Sequence, residues 1–180
     1  MTPLIRKANK SAEAAHKGQK RDSGEPYITH PRRVRNILAK HGLPEYVQIA
    51  GLLHDCLEDT HLSEEVIGEK YGEDVLLLVK GMTKGKTNYY LQLLAYAEED
   101  NNIIFLKMAD RIDNLRTVWS WDTARQMKYL EETFYLYDKL FKAFLDTVPD
   151  KDLYFRRTYE DMITELIEGI KILGEKLSNK

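Results

Sequence analysis

One short segment of the chain combines an imidazole with three carboxylates. Residues 51–60 read Gly-Leu-Leu-His-Asp-Cys-Leu-Glu-Asp-Thr. At about 100° per residue of an α-helix, His54, Asp55 and Glu58 share one face, and the opposite face is apolar. Asp59 lies at the margin of the polar face. Carboxylates gathered in this way repel one another unless a cation neutralises them, so the segment favours a metal site.

A second polar stripe lies in residues 107–117, which read Lys-Met-Ala-Asp-Arg-Ile-Asp-Asn-Leu-Arg-Thr. Four of its side chains fall within about 80° of one another on a helical wheel: Lys107, Asp110, Asn114 and Thr117. They offer a cation, a carboxylate, an amide and a hydroxyl to one pocket. The opposite face is apolar and includes Trp119, and Asp113 is interpreted as a solvated carboxylate.

Helical periodicity runs through almost the whole chain, and no stretch alternates convincingly with period two. Pro31 suits the first turn of a helix, Gly42 suits its end, and Ser63 suits an N-cap. We therefore predict an all-α, single-domain protein of about nine helices, with a loop over residues 18–30. The predicted helices span residues 4–17, 31–42, 44–57, 64–71, 73–80, 89–98, 102–119, 123–146 and 152–177.

Composition and charge exclude several classes of protein. The chain has 180 residues and a net charge of −2, which suits one compact domain and offers no global basic field for a nucleic-acid polymer. No run approaches the ~18 apolar residues that cross a bilayer, and the N-terminus lacks the apolar core of a signal peptide. The single cysteine, Cys56, excludes an internal disulfide and is interpreted as a small buried hydrophobe. We expect no membrane association and a cytoplasmic location.

Three segments together resemble the hydrolase domain of the RelA/SpoT homologues, within the HD superfamily of helical phosphohydrolases. They are residues 15–31, 52–60 and 107–117, and their order and separation also match. The run Ser-Gly-Glu-Pro-Tyr-Ile-Thr-His-Pro, residues 23–31, is far more specific than the His54–Asp55 pair. The resemblance covers roughly residues 4–145, and the helix at 152–177 is expected to pack on that core, giving one HD-type domain over residues 1–180.

The resemblance implies an activity. It implies hydrolysis of guanosine 3′,5′-bis(diphosphate), ppGpp or pppGpp, to GDP or GTP and pyrophosphate by a metal-activated water. After residue 146 only 34 residues remain, too few for the synthetase domain that long members carry. We therefore expect a stand-alone small alarmone hydrolase, similar to the metazoan SpoT homologue and belonging to the stringent response.

The resemblance also implies the metal site and the base. Its metal ligands would be His30, His54, Asp55 and Asp110. This mixed nitrogen and oxygen set suits Mn²⁺, and Zn²⁺, Fe²⁺ or Co²⁺ are chemically compatible with it. Glu58 and Asp59 match the family's acidic pair, which orients and deprotonates the attacking water as a general base.

Substrate contacts follow from the same resemblance. Arg21 and Ser23 match positions around the guanine base, and Asn114 and Thr117 match positions near the nucleoside and its phosphates. Lys107 is expected to add positive charge near the metal. Asp22 departs from the family, where lysine is frequent, which puts the guanine preference in question.

A short basic loop, residues 81–88, offers Lys84 and Lys86 as contacts for pyrophosphate, against the alternative of a solvated turn. His16 is interpreted as packing or capping its helix rather than binding metal.

Two other functions stay open from the sequence. One is an HD phosphatase that acts on another nucleotide, such as NADPH or a nucleoside phosphate, and Asp22 motivates it. The other is an inactive HD module that senses nucleotides and regulates a partner. Degenerate members usually lose a ligand or the acidic pair, and here all six positions are present. A homo-oligomer also remains an open alternative.

Overall fold

A computed structural model describes residues 1–85, 88–141, 144 and 152–179 of the chain. Ten α-helices lie in these described residues, joined by loops, with one isolated β-bridge, Lys20 to Pro26, in the first loop. The helices are α1 Pro3–Ala15, α2 Thr29–Lys40, α3 Glu45–Leu53, α4 Cys56–Asp59, α5 Glu64–Tyr71, α6 Glu73–Met82, α7 Tyr89–Glu99, α8 Asn102–Thr117, α9 Thr123–Leu136 and α10 Leu153–Ser178. The all-α prediction is confirmed.

Two predicted helices differ from the observed ones. The single helix expected over residues 44–57 is wrong, because α3 ends at Leu53 and the short α4 begins at Cys56. The helix expected over 123–146 ends as an α-helix at Leu136 and continues as a π-helical turn, Tyr137–Phe141. Residues 142, 143 and 145–151 lie outside the described part of the chain.

Local sequence signals explain several helix boundaries. The Thr2 hydroxyl accepts a hydrogen bond from the Ile5 amide and Pro3 occupies the first helical turn of α1. The Ser63 hydroxyl accepts from the Val66 amide and so caps α5 as predicted. Both contacts satisfy amide groups that a helix N-terminus otherwise leaves without a partner.

The chain divides into two compact units, Met1–Ala109 and Asp110–Lys180, and the division falls inside α8. In the first unit α3 packs against α1, α2 and α6, and six of its nine residues are buried. At Gly81, near the end of α6, a Cβ atom would lie 2.9 Å from Tyr96 Cγ of α7 and closer still to Ile103 Cδ1 of α8. The absence of a side chain at residue 81 therefore allows three helices to approach closely.

In the second unit α9 packs against α10. Arg111 is buried, with its guanidinium 4.4 Å from the Tyr129 ring centroid and its Nη1 donating to Thr133 Oγ1 at 3.2 Å.

Asp113 is 0% exposed and Trp119 is 42% exposed, so the expectations of a solvated Asp113 and an apolar-face Trp119 are both wrong. Trp119 lies in the 3₁₀ turn Val118–Ser120, where α8 has already ended. One domain over residues 1–180 remains a prediction.

None of the helices in the described part of the chain is both long enough and apolar enough to span a lipid bilayer.

Candidate metal centre and its acidic pair

Two buried imidazoles lie side by side in the first unit. His30 lies in the first turn of α2, His54 follows the last residue of α3, and each is 2% exposed. Their ring centroids are 5.2 Å apart, and the ring planes are inclined at 68°. Burying two imidazoles against each other is unusual for core packing, because each ring nitrogen needs a polar partner.

The backbone fixes which nitrogen of His54 carries its proton. His54 Nδ1 lies 3.0 Å from the carbonyl oxygen of Gly51, and a carbonyl only accepts. Nδ1 therefore donates, and in the neutral imidazole Nε2 keeps its lone pair. Orienting a histidine through a backbone carbonyl in this way is the usual arrangement for an imidazole that binds a metal.

Carboxylates approach both imidazoles. Asp55 Oδ1 lies 3.1 Å from His54 Nε2, and Asp55 Oδ2 lies 3.6 Å from His30 Nε2. One ligand atom each from His30, His54 and Asp110 lie within 4.8 Å of one another, and all three residues are buried. Metal–ligand bonds of about 2.0–2.2 Å put neighbouring ligand atoms ~3 Å apart, so this group fits a divalent cation after small adjustments. The group joins residues that are far apart in sequence.

Two predicted site residues, Asn114 and Thr117, follow Asp110 on α8. Asn114 Nδ2 donates to Asp110 Oδ1 at 2.7 Å, one helical turn away. The Thr117 hydroxyl donates to the carbonyl oxygen of Asp113 at 3.0 Å. Asn114 therefore orients the carboxylate of Asp110, a contact that the sequence assigned to the substrate instead.

The acidic pair, Glu58 and Asp59, lies on α4 with both side chains exposed. Glu58 Oε2 accepts a hydrogen bond of 3.2 Å from the backbone amide of Lys84. The Asp59 carbonyl oxygen accepts from Gln19 Nε2 at 2.7 Å. Glu58 therefore contacts the loop after α6, and Asp59 contacts the loop after α1. Both side chains remain open to water.

The hydroxyl of Tyr27 lies between two carboxylates. It donates to Asp55 Oδ2 at 2.8 Å and lies 3.3 Å from Asp59 Oδ2. Burial raises the pKa of Tyr27 well above its usual value of about 10, and the charge and hydrogen bond of Asp55 raise it further. The sequence motif did not indicate a role for Tyr27, and its place three residues before His30 was the available signal.

His16 and Cys56 are buried next to each other, with Cys56 Sγ 3.6 Å from His16 Nε2. His16 is 3% exposed, stacks on Tyr27 with ring centroids 4.6 Å apart, and contacts Gln19 Oε1 through Nδ1 at 2.7 Å. The interpretation of His16 as a packing residue is confirmed. Cys56 is fully buried, and burial raises the pKa of its thiol to about 12, with smaller contributions from Asp55 and Asp59. The interpretation of Cys56 as a buried hydrophobe is also confirmed.

The loop between α1 and α2 is folded back on itself. The amide of Arg21 donates to the Glu25 carbonyl at 2.9 Å, and Gly24, with φ +85°, closes the turn. The carboxylate of Glu25 accepts two hydrogen bonds from Arg33, at 2.9 and 3.1 Å, and this contact lowers the pKa of Glu25. The loop is thereby anchored to α2.

The predicted base contacts lie on this loop. The guanidinium of Arg21 lies 5.9 Å from the Tyr27 ring centroid, and Asp22 and Ser23 are exposed at the turn. Arg21 is therefore placed beside the residue that contacts Asp55 and Asp59.

The predicted phosphate contacts differ in exposure. Lys107 is 5% exposed, and its Nζ lies 5.0 Å from the Tyr89 ring centroid. Lys84 is exposed, and Lys86 lies outside the described residues. Gln92 Nε2 donates to the carbonyl oxygen of Thr83 at 2.6 Å, and its Oε1 accepts from the Gly85 amide at 3.1 Å. Gln92, which the sequence did not indicate, thus anchors the loop that contacts Glu58.

The helical fold of the first unit brings the His54–Asp55 pair against a second histidine, His30, as the resemblance to the HD superfamily implies. Residues 8–92 match the family model described as an HD domain. The chain therefore carries an HD domain, and the residues that contact the acidic pair, Gln19, Tyr27 and Lys84, lie within the matched range.

The relatives of known activity are alarmone enzymes. A guanosine-3′,5′-bis(diphosphate) 3′-pyrophosphohydrolase of Aquifex aeolicus is 42% identical over 144 residues, 76% of this chain and 21% of that protein. A GTP pyrophosphokinase of Streptomyces coelicolor is 35% identical over 175 residues, 91% of this chain and 21% of that protein. The chain spans about a fifth of the length of these curated relatives. The resemblance to the RelA/SpoT homologues is confirmed.

Solved structures share the fold. A metazoan orthologue of SpoT, which hydrolyses ppGpp, superposes with a TM-score of 0.65 at 23% identity, covering 92% of this chain and 96% of that one. A crystal structure from Listeria monocytogenes superposes with a TM-score of 0.56 at 25% identity, covering 82% of this chain and 99% of that one. The likeness to the metazoan protein is evidence for the helical fold alone.

Proposed function

We propose that this protein is a Mn²⁺-dependent hydrolase that removes pyrophosphate from the 3′ position of ppGpp or pppGpp, leaving GDP or GTP. The observation that carries the proposal is the buried group of His30, His54 and Asp110 with an exposed acidic pair on the adjoining helix. Further support comes from relatives that are named as 3′-pyrophosphohydrolases of this alarmone.

In this proposal the metal is held by His30, His54, Asp55 and Asp110. Two imidazole nitrogens and two carboxylate oxygens form a set of intermediate hardness, which suits Mn²⁺. A divalent cation in such a set supplies charge compensation at the phosphorus and acidifies water. Asn114 would support the site by holding Asp110 in one orientation, as its 2.7 Å hydrogen bond indicates.

Glu58 and Asp59 act as the general base in this proposal. Both side chains are exposed, so they are open to the water that must attack the phosphorus. The Glu58 carboxylate is held by the Lys84 amide, and the backbone of Asp59 is held by Gln19. A carboxylate held in this way would accept the proton that water loses as its oxygen bonds to phosphorus. The bond between that phosphorus and the 3′ oxygen breaks, and the 3′ oxygen takes up a proton to become the 3′ hydroxyl of GDP or GTP.

The substrate would be bound by local positive charge, because the chain as a whole has a net charge of −2. Arg21 and Ser23 would contact the guanine base, and a guanidinium suits stacking on a planar ring. Lys84 and Lys107 would face the phosphates, with Asn114 and Thr117 near the nucleoside. A cytoplasmic location belongs to the same proposal, since alarmone nucleotides and a buried, reduced Cys56 suit that compartment.

The test is to incubate the Mn²⁺-loaded protein with ppGpp and to separate the products by anion-exchange chromatography. We expect GDP and intact pyrophosphate in equal amounts. The matched control is the Glu58→Gln, Asp59→Asn double variant, prepared in the same way, which excludes a contaminating phosphatase. Orthophosphate in place of pyrophosphate, or no GDP at all, would contradict the proposed reaction.

A second candidate substrate class has an observation in its favour. Asp22 is exposed at the turn of the loop that would face the base, and a carboxylate there repels an anionic ligand while accepting from amino groups. The same assay should therefore include NADPH and simple nucleoside monophosphates. Rapid hydrolysis of one of these without release of GDP from ppGpp would make the protein an HD phosphatase on another nucleotide.

A further inference from the structure

The acidic groups at the two ends of α4, the N-cap Asp55 and the last residue Asp59, pose an electrostatic problem. Asp55 and Asp59 are four residues apart, and the Asp59 amide donates to the Asp55 carbonyl at 2.9 Å, as in a helical turn. Side chains with this spacing are neighbours on a helix, and like charges there repel each other. In the proposed function one of them holds the metal and the other receives a proton, so their separation must be held constant.

Tyr27 is the neutral donor between them. Its hydroxyl contacts Asp55 Oδ2 at 2.8 Å and Asp59 Oδ2 at 3.3 Å. A phenol has one proton to donate, so the shorter contact with Asp55 is the stronger bond. Hydrogen bonds to an ionised carboxylate are roughly twice as strong as those between neutral groups.

The ring of Tyr27 is itself fixed by its surroundings. It stacks on the buried ring of His16, with centroids 4.6 Å apart and planes inclined at 26°. The amide of Tyr27 donates to the Gln19 carbonyl at 3.0 Å. Gln19 in turn contacts His16 and donates from its side chain to the Asp59 carbonyl. Gln19 therefore contacts the backbone of Asp59, and Tyr27 lies beside its carboxylate. His16 contacts both Gln19 and Tyr27.

We propose that Tyr27 is a positioning residue that keeps the metal-binding Asp55 and the base Asp59 at a constant separation, an inference that rests on the proposed function for the role of Asp59. Its hydroxyl fixes the orientation of Asp55 toward His30 and His54. Gln19 holds the other end of the arrangement by binding the backbone of Asp59. Tyr27 touches the groups that react and does not itself react.

The test is Tyr27→Phe, which removes one oxygen and leaves the ring on His16. Tyr46→Phe is the matched control, because the Tyr46 hydroxyl also donates to a carboxylate at 2.8 Å, that of Asp100. Two quantities are measured for each protein: Co²⁺ affinity by visible absorption without nucleotide, and kcat and KM for ppGpp with Mn²⁺.

For Tyr27→Phe we expect Co²⁺ affinity and kcat each to fall by about 10-fold or more, within the range of about 10–100-fold that second-sphere partners of metals show. KM should stay within about twofold, because the lost contact is not to the substrate. Tyr46→Phe should retain the wild-type values of all three quantities.

Three results would overturn the inference: unchanged Co²⁺ affinity and kcat in Tyr27→Phe, a rise in KM alone, or an equal loss in Tyr46→Phe. If Tyr27→Phe does not fold, Gln19→Met tests the Asp59 side and should lower kcat without changing Co²⁺ affinity. An unchanged kcat there would equally count against the arrangement. If the wild-type protein does not hydrolyse ppGpp, the proposed function fails, whereas the Co²⁺ titration still decides whether Tyr27 orients Asp55.

Discussion

Two tyrosines of the first unit make the same hydrogen bond in different surroundings. Tyr46 donates to Asp100, whose other oxygen accepts from the amide and the side chain of Asn102, each at 2.8 Å. The Asp100 carboxylate thus accepts three hydrogen bonds just before the start of α8. Tyr27 donates to Asp55, whose oxygens also face the Nε2 atoms of His54 and His30.

The carboxylates of Asp100 and Asp55 differ in the number of hydrogen-bond donors that face them. Donors at a helix N-terminus stabilise the negative charge of Asp100, so that site is complete without an ion. At Asp55 the nearby Nε2 of a neutral His54 presents a lone pair, since its Nδ1 donates to Gly51. Lone pairs directed at one another are stabilised by a cation, which distinguishes the candidate metal centre from a structural carboxylate.

The largest effect is expected from exchanging one carboxylate at each place for an amide. Asp55→Asn should lower kcat/KM for ppGpp by about 10³-fold, because a metal ligand supports several kcal/mol of transition-state stabilisation. Asp100→Asn should leave turnover unchanged and lower stability by ~0.5 kcal/mol through the helix dipole. Kinetics and urea unfolding of both variants measure this, and similar kinetic losses in both would remove the distinction between the two sites.

A loss of comparable size, with the metal kept, is expected when the base is removed. Glu58→Gln and Asp59→Asn should each lower kcat by about 10²–10⁴-fold, the usual span for a positioned acid or base. Metal content, measured by elemental analysis, should match the wild type. Glu65→Gln, on the exposed first turn of α5, is the control and should turn over normally. Full activity of both variants would show that neither residue accepts the proton.

Changes at the basic side chains should act on binding. Arg21→Ala should raise KM by about 10-fold through the loss of a stacked guanidinium, with kcat little changed. Lys84→Ala should have a smaller effect that shrinks further as salt is added, because exposed charges are screened. Lys20→Ala, at an exposed position next to Arg21, is the control. A fall in kcat rather than a rise in KM for Arg21→Ala would contradict its role at the base.

The smallest effect concerns alkaline stability at Tyr46. Burial and the hydrogen bond to Asp100 raise the pKa of Tyr46 above its usual value. The unfolded chain then releases this proton near pH 10 while the folded chain retains it. The stabilisation is therefore complete below pH 10 and is lost as pH rises further. Urea midpoints between pH 8 and 11 should fall more steeply for the wild type than for Tyr46→Phe, and parallel slopes would count against this pKa shift.

Helix type and most boundaries could be predicted because their causes are local. Ser63 marks the start of α5 through its own hydroxyl, and it was predicted as the cap. The interruption at His54 and Asp55 could not be predicted, because the apolar periodicity of residues 44–57 continues through it. There the His54 ring contacts the Gly51 carbonyl, and α3 ends at Leu53.

The residues of the site could be predicted where a sequence motif contained them. His30, His54 and Asp110 were named from the sequence, and the structure brings them together. Tyr27 and Gln92 were not assigned, because their roles depend on contacts with residues that are distant in sequence. Asp113 was assigned to solvent because hydropathy alone does not indicate that a carboxylate is buried.

The close approach at Gly81 also limits how this protein can change over generations. Every amino acid that one base substitution in a glycine codon can produce is larger than glycine. Each would press on Tyr96 and Ile103, next to the carbonyl that Gln92 binds at 3.2 Å. Any single-base change that replaces Gly81 therefore adds a side chain where the structure leaves no room for one. A lineage that changes it must first make room at residue 96 or 103, so the order in which substitutions arise is constrained there.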